Sequence, residues 1–492
     1  MRDRIRWTAL WLGVLGLAAP LASQNVAYEV WLSDQTNSQG FSAAAPNGTS
    51  GGFIRIYDSA DLDNPSGPID RPANLDASTI FPATVTPDGA PVVRLHGILP
   101  DPTSRVMAVS FVVSGHLGLV DGATRRGICL FRTTGTSTGR QNHMTFWDPT
   151  GSSLIIANQN GRLLERVDVS ERGYVFNAAA SLDLVGGPGR IVAQPWAVDL
   201  NPADGVSCSV SGLVADNQPT TTPGGLPKQA AALRPLNTVI CPIVNHAGTH
   251  ALVTLGGGGM FVVDIDATPM RIVGEYDNTF YRPAGCGGVQ RWGAVFGRPG
   301  PIFMNAGTPG PDMSEFTVYR FTPQFPSAPS ANSPNTPRPD LVFADPDNGR
   351  ALPGNNRDAH GLVLTARYLH VFDRVRNVAE VFDLGDTNRR STYSLTTTSA
   401  CGRTAGATRN SDPAADLGDL SPLQNRIYVA LRGPVPLTVT HAAEGSCPGL
   451  GIVTLSEGGR TGQLTHVLPT TTPNFAGTVN LSDPHAAVVR MK

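Results

Sequence analysis

Four histidines recur at matching places along the chain. His96, His143, His360 and His485 each stand at the start of a short, β-branched apolar stretch. Asp416 holds that place in a fifth stretch, with Asp419 close behind it. Imidazoles and a carboxylate converging from separate strands could bind a transition metal or an anionic ligand. The same residues could instead serve the fold, because an imidazole at a strand start can hydrogen bond to a neighbouring strand.

Other patterns carry less chemistry. His246 and His250 are four apart, a metal-ligand spacing on a helix, but they flank a turn and a strand. Gly256 to Gly259 follows one strand and leads into another, with no lysine and no helix start, so a hairpin is expected rather than a phosphate loop. Gly48-Thr49-Ser50-Gly51-Gly52 matches the G-x-S-x-G pattern but lies in a polar loop without the strand and helix a nucleophile elbow needs. Asp345, Asp347 and Gly349 resemble part of a calcium loop whose last ligand is missing. Asp58, Asp168, Asp264 and Asp383 recur so regularly that an architectural role in turns is expected.

The elements that must hold these residues are strands. Helical periodicity never persists, and Gly or Pro interrupts nearly every window. The clearest unit is HMTFWDPTGSSLIIANQNGRLLERVDV from His143: a strand, a turn at Asp148 to Gly151, a second strand, a turn at Asn158 to Gly161, and a third strand. Further copies are NHAGTHALVTLGGGGMFVVDI from Asn245, HGLVLTARYLHVFDRVRNVAEVFDL from His360, and LGDLSPLQNRIYVALRG from Leu417 with GLGIVTL as its third strand. Unit starts fall near His96, His143, Trp196, Cys241, Val289, His360, Leu417 and His485. Their spacing, roughly 45 to 75 residues, suits a four-stranded propeller blade with loops. The Trp196 copy is poorly formed and reads as an insertion. VWLSDQ and FIRIYD near the amino terminus lack a first strand, and the carboxy-terminal DPHAAVVRM is a first strand alone. Together they would complete one blade and leave no open edge.

The copies from His143, Asn245 and His360 resemble the YVTN-type β-propeller repeat. The turns DPTG, NHAG and SPLQN stand where that repeat has a Ser-Pro-Asp-Gly-like turn. LIIANQ, ALVTLG, YLHVFD and IYVALR stand for its Tyr-Val-Thr-Asn-like strand, and RVDV, VVDI and VFDL for its third strand. The resemblance spans most of residues 25 to 492. It implies an all-β fold, a closed β-propeller of four-stranded blades, with seven blades preferred and eight the alternative. It also implies that histidines at blade openings can be metal ligands at the channel mouth. Members include binding proteins, lactonase-like enzymes and metalloenzyme domains, so the activity stays open.

Arg2, Arg4 and Arg6 precede an apolar run from Trp7 to Ala19, with small residues to Ser23. That is an export signal over residues 1–23, or an uncleaved anchor, leaving 24–492 as a single β-propeller domain in the periplasm or outside the cell. Six cysteines, none in a C-x-x-C, then imply disulfides. Formal net charge is -2 and charged residues are 15 %, so nothing points to nucleic acid. No later segment is long and apolar enough to span a membrane. The three longest insertions, 205–235, 305–340 and 432–448, are candidate binding loops.

The expected function is an exported, monomeric propeller that binds a protein, glycan or small molecule through its loop face or channel mouth. The alternative is a lactonase-like hydrolase, or a metal-handling or redox protein, using His96, His143, His360, Asp416 and His485. A divalent metal is the candidate cofactor.

Overall fold

The computed structural model describes residues 26–36, 51–63, 73–218, 237–276, 288–290 (backbone only), 300–307, 315–321, 339–348, 356–396, 399–436, 444–474 and 476–492. Residues 1–23, read above as an export signal, lie outside the described residues, as do Cys286, Gly349, Gly48, Thr49 and Ser50.

Short β-branched and aromatic stretches separated by polar turns fold into antiparallel runs of four strands, each run following chain order. The run from His143 is typical. Asn142–Trp147 pairs with Ser153–Asn158, then Leu163–Ser170, then Gly173–Asn177. The same pattern starts at Leu95–Pro100, Val239–Val244, Gly288–Gln290, Ala359–Leu364 and Ala415–Leu420. One further sheet joins both chain regions: Pro484–Met491 pairs with Tyr28–Asp34, which continues to Phe53–Asp58 and Ala73–Asp76.

Trp196–Asp199 opens no unit, in keeping with its reading as an insertion, whereas two of the long insertions hold strands that the sequence reading did not give them. Trp196–Asp199 pairs with the outer strand Gly127–Arg132 as a fifth strand, and Trp196 stays half-buried. The insertion placed at 305–340 contains a regular strand, Phe316–Phe321, which pairs with Ile302–Gly307. Part of the 205–235 insertion is likewise ordered, as Ser207–Ser211 runs parallel to Gly173–Asn177.

The first strands of successive runs pack side by side. Pro484–Met491 lies against Leu95–Pro100, which lies against Asn142–Trp147, and that against Val239–Val244. On the other side, Ala359–Leu364 packs on Ala415–Leu420 and that on Pro484–Met491. The core fills the spaces between sheets. One cluster joins Trp31, Ile54 and Val488 to Met107, Val109 and Leu130, and so ties the terminal sheet to its neighbour. Asp58, Asp264 and Asp383 end third strands by accepting the N–H two residues on, from Ala60, Asp266 and Gly385, the architectural role expected of them. Two disulfides, Cys129–Cys208 and Cys401–Cys447, join distant segments. Among the described residues no helix is long and apolar enough to cross a membrane.

Candidate functional site

Every first strand with described side chains carries one extra residue at the same place. Leu95 opposes Phe111 and Gly97 opposes Ser110, so His96 is extra. The same irregularity follows Asn142, Val239, Ala359, Ala415 and Pro484. A bulge bends the strand and turns a side chain out of the alternating pattern. The residues so placed are His96, His143, Ile240, His360, Asp416 and His485. Gly361, second in its bulge, lets two strands meet, since a Cβ there would lie 2.1 Å from the Asp416 carbonyl oxygen. Apolar side chains lie beyond the bulges, where Leu99, Phe146 and Leu417 pack on a cluster containing Met144 and Ile240.

The five polar residues come together. The ring centroids of His96 and His485 are 3.5 Å apart and stacked, and those of His96 and His143 are 4.6 Å apart. His360 and His485 meet edge to face at 6.1 Å. His360 Nε2 lies 2.9 Å from Asp416 Oδ1, and His485 Nε2 lies 4.0 Å from Asp416 Oδ2. One donor atom from each of His360, Asp416 and His485 falls within 4.8 Å of the others. All five are buried, from 0 % exposed at Asp416 to 8 % at His143.

Two of the imidazoles are anchored in the same way. His485 Nδ1 lies 3.0 Å from the carbonyl oxygen of His96, and His143 Nδ1 lies 3.0 Å from that of Ile240. A carbonyl only accepts, so each Nδ1 carries the hydrogen and Nε2 keeps its lone pair. Metal-ligating histidines are commonly oriented by such a bond. Both nitrogens of His96 lack a hydrogen-bond partner, though the residue is 1 % exposed. Burial pushes His143 down to about 4, and burial together with neighbouring positive groups pushes His96 well below the usual imidazole value. Burial also lowers His485. These three imidazoles are therefore neutral at pH 7. Burial alone would raise the Asp416 carboxyl, but neighbouring positive charge, the buried Arg374 and Arg432 guanidiniums included, outweighs it and holds it well below the usual range, so it is ionised.

Sequence reasoning missed the groups that hold Asp416. Arg432 Nη1 donates to Asp416 Oδ2 at 2.8 Å, and its Nε and Nη2 grip Asp483 at 2.7 and 2.8 Å. Arg374 reaches Asp416 at 3.3 Å and holds Asp358 at 2.8 Å through Nε. Both arginine side chains are fully buried. A signal was present: Asp358-Ala359-His360 and Asp483-Pro484-His485 share a D-x-H pattern, and Arg374 and Arg432 each directly follow a second strand.

The remaining candidates are structural. Asp419 lies outside the cluster and accepts the Val489 and Leu420 N–H groups, with burial raising it to about 6. His250 Nδ1 bonds the neighbouring Thr249 hydroxyl, and Asp345 is committed to the Arg357 guanidinium at 2.7 Å. Gly256 to Gly259 forms the expected hairpin, with positive φ at Gly258 and Gly259.

Chemically, two imidazoles and a carboxylate with one donor atom each within 4.8 Å of the others are a donor set for zinc, copper, nickel or iron rather than magnesium or calcium.

No family model matches the chain, and no curated protein matches its sequence. Solved structures match its shape. A Bacteroides fragilis protein provisionally named 6-phosphogluconolactonase aligns with 95 % of this chain and 99 % of its own, at 9 % identity and a TM-score of 0.50. The periplasmic gluconolactonase PpgL of Pseudomonas aeruginosa aligns with 94 % of this chain and 99 % of its own, at 12 % identity and a TM-score of 0.49. The Swd1 β-propeller domain of Myceliophteria thermophila covers 68 % of this chain and 93 % of its own, at 13 % identity and a TM-score of 0.35. Likeness at such identities shows the fold alone. The chain has a β-propeller fold.

Proposed function

We propose that this protein is an exported β-propeller that binds a divalent transition metal ion through His360, Asp416 and His485. The observation that carries this reading is the convergence of three donor atoms within 4.8 Å from three neighbouring first strands. The His143 ring lies in the same cluster, 4.6 Å from that of His96. In this reading residues 24–492 are one domain, a ring of seven blades closed by the sheet that holds both chain regions. The two disulfides support an oxidising compartment.

Purified protein dialysed against zinc should retain about one ion per chain. Asp416→Asn and His360→Ala should each abolish that retention. A chain that holds no zinc, copper or nickel after dialysis would refute the reading.

A second reading is hydrolysis of a lactone, suggested by the name of the Bacteroides fragilis neighbour. It needs an ion with an open coordination position, which would polarise the ring carbonyl. The number of protein ligands therefore separates a holding site from a reactive one.

A further inference from the structure

A buried imidazole with both nitrogens unbonded is unusual, because buried polar groups nearly always find partners. His96 is such a group. Its backbone carbonyl is fully used: it accepts from His485 Nδ1 at 3.0 Å and from the Ser33 hydroxyl at 2.8 Å. Its ring is stacked on His485 at 3.5 Å and tilted against His143 at 4.6 Å. By contrast, His143 and His485 would each break a hydrogen bond by turning. His96 breaks none.

We propose that His96 is the fourth ligand of the metal centre, so that the ion is enclosed by three imidazoles and one carboxylate. This rests on the reading of His360, Asp416 and His485 as ligands. The His96 ring lies stacked on His485, outside the group of three donors that converge. Rotation about its side-chain bonds swings a nitrogen toward the ion, and the backbone anchor from His485 keeps the strand in place. A set of four protein ligands closes the tetrahedron that zinc prefers and leaves no position for water or substrate. The ion then acts as a clasp. It ties Leu95–Pro100, Ala359–Leu364, Ala415–Leu420 and Pro484–Met491, four first strands of three sheets, one of which contains both chain regions.

The test compares the full chain with His96→Phe, which keeps the stacked ring but removes both nitrogens, and with His370→Phe, a buried imidazole outside the cluster, as a control. Zinc affinity is measured by competition with a chromophoric chelator, and zinc K-edge absorption of the unaltered protein counts imidazole ligands. We expect three imidazoles in the unaltered chain, at least tenfold weaker zinc binding in His96→Phe, and no such loss in His370→Phe. Equal affinity in His96→Phe, or a spectrum with two imidazoles and a water, overturns the proposal while leaving the three-ligand site standing. Absence of zinc binding by the unaltered chain overturns the site itself. If His96→Phe does not fold, as judged by circular dichroism, the ligand count in the unaltered chain still decides.

Discussion

Tyr28 and Tyr428 share a hydroxyl–hydroxyl hydrogen bond of 2.6 Å across 400 residues of sequence. Both side chains are buried, and the Tyr28 hydroxyl also donates to Asp63 at 2.9 Å. The bond links the strand Tyr28–Asp34 to Arg426–Leu431 of the adjoining sheet, and so belongs to the same seam as the pairing of Tyr28–Asp34 with Pro484–Met491.

Deleting Asp483 to Lys492 should therefore do more than shorten the chain. It removes the partner of Tyr28–Asp34, exposes that strand's edge, and strips Arg432 of Asp483. The expected outcome is aggregation or degradation on expression. A soluble truncated chain that unfolds in one cooperative step would argue against ring closure.

Arg432→Met should be strongly destabilising. The guanidinium is fully buried between Asp416 and Asp483, and its loss leaves two buried carboxylates short of positive charge. Breaking a buried pair from one side costs about 3–5 kcal/mol. Denaturant unfolding of the variant beside the unaltered chain measures the difference. A change below about 1 kcal/mol would mean that water or neighbouring side chains replace the lost partner.

Acid should destabilise the fold before the carboxylates are titrated. Burial pushes His116 down to about 3 and His370 down to about 4. Both stay neutral when folded but charge below their ordinary value of about 6.5 when unfolded. The unfolded state thus binds more protons, so stability is complete above pH 6.5 and falls as pH drops toward 4. Each histidine contributes on the order of 3 kcal/mol over that window. Unfolding free energies at pH 7 and pH 4.5 should show the decline, and His370→Gln should shrink it. An unchanged slope in His370→Gln would show that its ring does not carry this dependence.

Denatured, unreduced protein should titrate no more than two thiols, because Cys129, Cys208, Cys401 and Cys447 are paired. Loss of the Cys401–Cys447 bond, which closes a span of 46 residues, should cost about 4 kcal/mol by chain entropy. A Cys401→Ala, Cys447→Ala double variant tests this by thermal unfolding. Six titratable thiols would exclude both the pairing and an oxidising destination.

Strands were legible because local patterns encode them: β-branched stretches between Gly, Pro, Asn and Asp turns need no distant partner to be recognised. The places of His96, His143, His360, Asp416 and His485 followed from the same repeat. What the sequence hid was tertiary. Arg374 and Arg432 look like solvated turn residues, and only packing of adjoining sheets buries them against Asp416. Trp196–Asp199 has the composition of a first strand, yet whether a strand lies innermost or outermost depends on which neighbour it meets. The bulges are invisible in composition because an extra residue is defined only against its partner strand.

That repeated bulge gives the buried cluster a modular character. The backbone turns one side chain inward from each sheet whatever that side chain is, as Ile240 shows beside the histidines. The cluster is thus a set of like sockets whose contents differ while the strands that frame them keep the same bulge. Among the described residues one aspartate and four histidines fill five sockets, and a sixth holds isoleucine, whose carbonyl still receives the hydrogen bond from its histidine neighbour. Variation in such a scaffold can change what the centre recognises without asking the fold to be invented again.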